Sequence, residues 1–459
     1  MDKRYHFIGI GGIGMSALAR ILLHRKIPVS GSDIALSYTI EGLIKEGAII
    51  HRGHSGEIIT PEMTVVYSSD IKNDNPEYQA ALKLKCKLLH RSELLAQLIQ
   101  GHRSLAVAGT HGKTTTSALL ASVLVGAGLD PSFAVGGILP QFHANSRCGH
   151  GDIFAFEADE SDGTFLKYHP FGAIITNIDD DHLNNFDNRF DKLVEAFRIF
   201  MSQVKSPEHL FWCGDDQHLS KLQVLGKTYG FGAGCDWVAS NYRQKGFHIF
   251  FDIKREGRTY KDIEVASIGR YNALNALAVF GLATSLGISE DAIRMAFRSF
   301  QGVMRRCEKK GAYEGIRFLD DYAHHPTEIS VTLQAIRNAV PEQRLVAIFQ
   351  PHRYSRTQSC LGSYGTIFDQ ADELIVTDIF AAGESPISNL THQNIIEEVQ
   401  QASSISTQYV PRSALSHMLA TFLRPGDVVV TLGAGDVTKV ASETLSALER
   451  TGTAYSYQQ

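Results

Sequence analysis

The chain has 459 residues, 44% of them hydrophobic and 20% charged, with a formal net charge of −5. That length calls for roughly two to four domains, and the composition is that of a soluble globular protein, which sets aside disordered and fibrous classes. The mild charge balance has no long single-sign run, which argues against a nucleic-acid partner; no apolar run approaches the roughly 20 residues of a membrane span.

The N-terminal "MDKRYHFIGIGGIGMSALA" superficially mimics a signal peptide. A strand, a turn and a helix explain its glycines better. The cysteines at 86, 148, 213, 235, 307 and 360 form no C-x-x-C, so free thiols in a reducing cytoplasm are expected.

Three α/β units follow one another, at about 1–99, 100–308 and 309–459, each with a mostly parallel sheet. In the first, "YHFIGI", "IPVSGSD" and "TVVYSSD" read as strands and "IGMSALARILLHRK" as an amphipathic helix. Gly9, Gly11 and Gly14 lie between the first strand and that helix, the context of a pyrophosphate-binding turn. Asp33, after the second strand, stands near the place that holds a ribose hydroxyl. A dinucleotide, another diphosphate nucleotide and a packing turn without ligand all remain open.

The second unit opens on "SLAVAGTHGKTTT". A buried strand would end in a turn built from Gly109, Thr110, His111 and Gly112, and a helix would start at Lys113, Thr114 and Thr115. Such a turn cradles the β- and γ-phosphates on backbone amides, with Lys113 as the countercharge and the Thr114 hydroxyl for Mg²⁺. The outer glycine of the usual phosphate loop is replaced by Val107. Two later strands, "DIFAFEADESD" and "FGAIITNIDDDH", end in Glu157, Asp159, Glu160 and Asp162, and in Asp179, Asp180, Asp181 and His182. These would supply the carboxylates that Mg²⁺, or Mn²⁺ in its place, requires; His182 reads equally as a ligand, a cap or a core residue. "GRYNALNALAVFGLATSLG" reads as a helix stopped at Gly287.

Arg305 and Arg306 fall where the second and third units should join, the place for an arginine that closes on a γ-phosphate; a solvated basic linker is the alternative. In the third unit "IRFLDDYA", "RLVAIFQP", "ADELIVTD" and "GDVVVTLGAG" read as strands. "LDDYAHHPTE" clusters Asp320, Asp321, Tyr322, His324 and His325, and "FQPHRYSRT" clusters His352, Arg353 and Arg356. Arginine forks match carboxylates, and the histidines suit a second anionic substrate or proton handling. Two nucleotide sites of different type suggest one nucleotide as substrate and one as fuel. A carboxylate activated by phosphoryl transfer and then attacked by an amine would use every part.

"GTHGKTT", "EADESDGTF", "TNIDDDH", "GRYNALNALA" and "DDYAHHPTE" together resemble, in order and over essentially the whole chain, the motifs of the Mur ligases of peptidoglycan synthesis. "HFIGIGGIGMSALA" and "FQPHRYSRT" resemble the branch that adds the first amino acid. The resemblance implies a cytoplasmic enzyme of cell-wall biogenesis, and so of cell shape and division, that joins L-alanine to UDP-N-acetylmuramate at the expense of ATP. It implies a Rossmann-like UDP-sugar domain (1–99), a phosphate-loop ATP domain (100–308) and a Rossmann-like amino-acid domain (309–459). Gly11, Gly12, Gly14, Met15, Asp33 and Ser69 would hold the UDP-sugar, and Gly109–Thr115 the ATP, with Asn272 and Asn275 on adenine. Arg306 would meet the γ-phosphate and Asp321 the nucleotide. Thr114 and Glu157 would bind one Mg²⁺ and His182 a second. Tyr322, His324, His352, Arg353 and Arg356 would position L-alanine and the lactyl group. Lys113, Arg306, His182 and His324 would act in catalysis. Several family members hold the second metal with a carbamylated lysine; in the segment "LNNFDNRFDKLVEAFRIF" after His182 only Lys192 occurs, and it lies closer to His182 than that lysine would. A monomer and a homodimer are both compatible with the sequence. The rivals are a sister ligase that adds a preformed peptide, a nicotinamide-dependent dehydrogenase and a non-catalytic nucleotide sensor.

Overall fold

The structure, a computed structural model, describes residues 4–181 and 183–456. Three sheets occur in chain order. The first contains β1 (Arg4–Ile8), β2 (Val29–Asp33), β3 (Ile49–Arg52), β4 (Met63–Tyr67) and β5 (Lys87–His90), connected through α1 (Ile13–His24), α2 (Tyr38–Lys45) and α3 (Pro76–Lys83), with α4 (Arg91–Leu98) after the last strand. Its order is β3-β2-β1-β4-β5, parallel throughout. The order reverses between β1 and β4, so a crevice opens past their carboxyl ends, which is where open α/β sheets take ligands. Local chemistry sets the helix starts. Asn75 accepts from the amides of Glu77 and Tyr78, with Pro76 opening α3, and His90 caps α4 in a reciprocal pair with Glu93.

The second sheet contains β6 (Arg103–Ala108), β7 (Ser132–Leu139), β8 (Ala144–Arg147), β9 (Ile153–Glu157), β10 (Gly172–Ile175), β11 (Leu210–Cys213), β12 (Lys227–Gly230), β13 (Trp237–Lys245), β14 (His248–Arg255) and β15 (Arg258–Val265), in the order β15-β14-β13-β12-β11-β10-β6-β9-β7-β8. Helices α5 (Lys113–Gly126), α6 (Phe190–Ser202), α7 (Arg270–Ser285) and α8 (Glu290–Arg298) belong to it. β6, β9 and β10 are buried along nearly their whole length, as central parallel strands covered on both faces must be. Val107 is one of these buried positions and pairs with Ile174 and Glu157. The residue in place of the outer glycine is therefore the end of a strand that runs straight into a shortened turn. α7 ends as the sequence suggests, with Gly287 two residues beyond it at φ +83°.

Asn145 on β8 is fully buried and donates to the Ile13 carbonyl and the Ser16 hydroxyl of α1, while accepting from Arg20. The first sheet and most of the second are thereby fastened together in one compact unit comprising residues 1–242, 250–266 and 271–301.

The other compact unit comprises 243–249, 267–270 and 302–459. Its sheet contains β16 (Glu308–Tyr313), β17 (Ile316–Asp321), β18 (Leu345–Phe349), β19 (Glu373–Val376), β20 (Ser406–Tyr409) and β21 (Val428–Leu432) in the order β16-β17-β21-β18-β19-β20. Only β16 runs antiparallel to its neighbour. Helices α9 (Pro326–Ala339), α10 (Tyr354–Ser359), α11 (His392–Ala402), α12 (Leu415–Phe422) and α13 (Val440–Ser456) complete it. The core lies between this sheet and α12–α13, around Phe318, Ile348, Val429 and Leu419. No helix among the described residues is long and apolar enough to cross a membrane.

Candidate active site

Strand β6 delivers the chain to Gly109 and α5 takes it away at Lys113. Gly112 caps α5 in the left-handed region, at φ +84°. The first amides of α5 point into this turn, and with the helix dipole they make a ready anion site. Two neighbours brace the loop. From β10's exit, Asn177 accepts from the His111 amide (2.8 Å) and Thr176 donates to the His111 carbonyl (2.6 Å). The Asp179 carboxylate contacts the His111 ring at 2.8 Å, and its backbone amide donates to the Thr110 hydroxyl at 2.9 Å. Asp179, read from sequence as one of a metal-binding cluster, thus props the phosphate loop itself.

Lys113 lies along the floor of the turn and donates to the carbonyls of Gly109 (2.6 Å) and Thr110 (3.1 Å) and to Glu160 (2.9 Å). Its side chain is 12% exposed and that of Glu160 is 1% exposed. Burial alone would lower the lysine pKa, but Glu160, Asp159 and Glu157 outweigh it and hold the ammonium charged. Burial also pushes the Glu160 carboxyl up, to about 7, against the pull of Lys113. Three carboxylates around one ammonium keep Lys113 protonated.

Glu157, at the end of β9, accepts from the Thr114 hydroxyl (3.1 Å) and the Gly136 amide (2.7 Å). Burial raises its pKa. A half-buried carboxylate beside a threonine hydroxyl at the mouth of a phosphate loop is a hard-oxygen donor set suited to Mg²⁺. His182 lies outside the described residues. Lys192, on α6, pairs with Asp187 at the surface. Asn272 and Asn275 are buried at the start of α7, joined by a 3.0 Å bond. A Cβ on Gly112 would come within 3.1 Å of Asn275, so α7 packs directly under the loop.

The glycine turn of the first sheet is built as its spacing predicts. The Gly9 and Ile10 amides return to the Ser32 carbonyl (2.9 and 3.0 Å). Asp33 accepts from the Gly11 amide at 2.9 Å, so this carboxylate shapes the turn. Ser69 stands at the exit of β4, bonded to His90 and Asp162. Met15 is buried in α1.

In the C-terminal unit the two arginines of the joining segment do different work. Arg305 clamps the turn after β21, donating to the carbonyls of Gly433, Ala434 and Gly435. Arg306 lies 5.3 Å from the Tyr322 ring centroid. Asp321 is buried and accepts from the Cys307 and Ala323 amides (2.7 and 2.8 Å); burial pushes its pKa up, and Arg306 opposes this. The rings of Tyr322, His324 and His352 form a chain, with centroids 5.2 and 5.9 Å apart. His352 stacks on Phe380. Arg353 caps the start of α10 at φ +64°, ψ 138°, outside the regions that non-glycine residues favour, and such outliers persist where the surroundings over-determine them.

Burial holds the His324 imidazole down at about 4, and Arg356 adds to the effect over the opposing Glu328. His352 is likewise held at about 4, by burial first and then by His324, Arg356 and Arg353. Both rings are neutral at pH 7. An unfolded chain binds protons near the ordinary 6.5 and the folded one only near 4, so this stabilisation is whole above about 6.5 and is lost as pH falls toward 4. The melting temperature should fall through that window, and His324→Asn should flatten part of the fall; a wild-type Tm level from pH 7 to 4.5 would contradict the assignment.

Sequence reasoning did not find the Lys113–Glu160 pair, the Asp179 brace or the contact of Arg91 with Asp159 and Asp162. Glu160 stood in an acidic cluster already singled out, but no spacing says which of four carboxylates meets the lysine.

A Gly-Lys-Thr turn heading a helix, backed by Glu157 at the end of the neighbouring strand and by the buried Glu160 just past it, defines a phosphate-loop protein that binds a nucleoside triphosphate. Comparison with known sequences narrows this class: the chain belongs to the Mur ligase family, matching its catalytic domain over residues 4–103, its middle domain over 107–283 and its glutamate ligase domain over 305–435. It is an ATP-dependent ligase of peptidoglycan synthesis. It is 61% identical to UDP-N-acetylmuramate–L-alanine ligase of Protochlamydia amoebophila (strain UWE25), over 98% of this chain and 99% of that one. It is 44% identical to the bifunctional enzyme MurC/Ddl of Chlamydia pneumoniae, over 95% of this chain and 53% of that protein. Among solved structures it is similar to UDP-N-acetylmuramate–alanine ligase MurC of Thermotoga maritima, with a TM-score of 0.86 and 27% identity over 98% of this chain and 99% of that one.

Proposed function

We propose that the chain joins L-alanine to the lactyl carboxylate of UDP-N-acetylmuramate, with ATP converted to ADP and phosphate, in the cytoplasm. Two phosphate-type turns carry this reading: a diphosphate turn and a triphosphate loop at the carboxyl edges of two sheets fastened into one unit. The 61% identity to a ligase of that name supports the choice of substrates.

In this reading residues 1–99 take the UDP-sugar on Gly11, Gly12, Gly14, Met15, Asp33 and Ser69. Residues 100–308 take ATP on Gly109–Thr115, with Asn272, Asn275, Arg306 and Asp321 completing the nucleotide site. Residues 309–459 take L-alanine and the lactyl group on Tyr322, His324, His352, Arg353 and Arg356. Thr114 and Glu157 would hold Mg²⁺, which supplies charge neutralisation on the phosphates; a second ion is assigned to His182. The lactyl carboxylate oxygen attacks the γ-phosphorus and the bond to ADP breaks, leaving an acyl phosphate. Lys113 and Arg306 balance the charge that develops. The neutral amine of L-alanine then attacks the acyl carbonyl, phosphate departs and the amine gives up a proton. His182 and His324 are the two candidates to receive that proton.

The test is phosphate release with UDP-N-acetylmuramate, ATP and each proteinogenic amino acid in turn. Alanine alone, or strongly preferred, is expected. Release driven by a preformed peptide and not by alanine would replace this reading with the sister ligase.

A further inference from the structure

Asp162 belongs to the acidic segment after β9, yet its carboxylate sits at the switch crevice of the first sheet. Ser69, at the exit of β4, donates to Asp162 Oδ2 at 2.7 Å. Arg91, the first residue of α4, donates to the same oxygen at 3.1 Å and to Asp159 at 3.2 Å. The Asp162 side chain is 10% exposed and that of Arg91 21%. Arg91 also lies over the glycine turn: its Nη1 would be 3.8 Å from a Cβ placed on Gly14. Asp162 Oδ1 is held from its own side by the Thr164 amide at 3.0 Å. One carboxylate therefore engages the hydroxyl and the guanidinium that flank the diphosphate turn.

A diphosphate arriving at Gly11–Gly14 would need those same donors, and two anions on one set of donors repel. We propose that Asp162 is a built-in competitor for the diphosphate subsite: binding of the UDP moiety takes Ser69 and Arg91 away from it, and the carboxylate sets substrate affinity by what that exchange costs. The inference rests on the reading that the glycine turn receives UDP-N-acetylmuramate. Its consequence runs against intuition, since removing a polar side chain at a substrate site should tighten binding.

Calorimetric Kd values for UDP-N-acetylmuramate and for UDP alone would test this on the full chain. Asp162→Asn and Asp162→Ala should each lower both Kd values by about three- to tenfold, with melting temperatures checked alongside. Ser69→Ala and Arg91→Met should raise both. Unchanged or weaker binding in both folded Asp162 variants overturns the competitor role while leaving the substrate reading intact. Failure of the wild-type chain to bind either compound would instead remove the substrate reading, and the competitor with it.

Discussion

Lys113→Ala is expected to lower ADP release, measured with UDP-N-acetylmuramate and L-alanine both present, by about three orders of magnitude. The figure follows from removing one preorganised charge from a site where negative charge moves in the transition state. Lys113 has two duties, and the substitution removes both. Its ammonium ties the Gly109 and Thr110 carbonyls and so sets the turn, and it is the countercharge to Glu160. Loss of a partner usually leaves a costly buried charge. Here the Glu160 carboxyl, already raised to about 7, can take a proton instead, so the fold should survive better than the activity. Glu160→Gln separates the duties: it keeps the ammonium and removes only the partner, so activity should fall much less than in Lys113→Ala. Turnover near wild type in Lys113→Ala would sink the assignment of the loop.

The features legible in the sequence are those fixed by turn chemistry at constant offsets. Gly9, Gly11 and Gly14 could be placed between a strand and a helix because a close backbone approach has few side-chain solutions. Lys113 and Thr114 followed from their distance to Gly109. The apolar strands β6, β9 and β10 stood out because parallel strands covered on both faces are continuous hydrophobic runs. β20 was missed because "STQY" is an exposed edge strand without such a run. β13, β14 and β15 were missed because their interleaved polar and apolar residues look like polar loop when read locally. The Asn145 link and the Arg91 cluster join residues 129 and 71 positions apart, and no local pattern encodes such a pair. The same limit hid the role of Asp179. Its acidic neighbours suggested a metal, whereas what decides its partner is that β10 lies beside β6.

Gly109→Ala should abolish ATP binding and destabilise the chain by several kcal/mol, on the scale of substitutions that force backbone against backbone. Gly109 has φ +131°, a region essentially restricted to glycine, where an L side chain costs of order 1–3 kcal/mol before any contact is counted. The contacts are worse. A Cβ there would lie 2.0 Å from Thr176 Oγ1 and 3.0 Å from the amides of both Thr176 and Asn177. These atoms cannot swing aside, because Thr176 holds the His111 and Ala108 carbonyls and Asn177 holds the His111 amide. Relief must come from the loop, which would move away from β10 and carry its phosphate-facing amides out of register. Gly109→Ala combined with Thr176→Ala makes the reasoning testable in steps. It clears the 2.0 Å overlap but leaves the backbone contacts and the dihedral, so part of the stability should return while ATP affinity stays lost. Thermal melting and binding of a non-hydrolysable ATP analogue, measured on both variants, read the two quantities separately. Wild-type ATP affinity in the single variant would show that the turn is not held by its contact with β10.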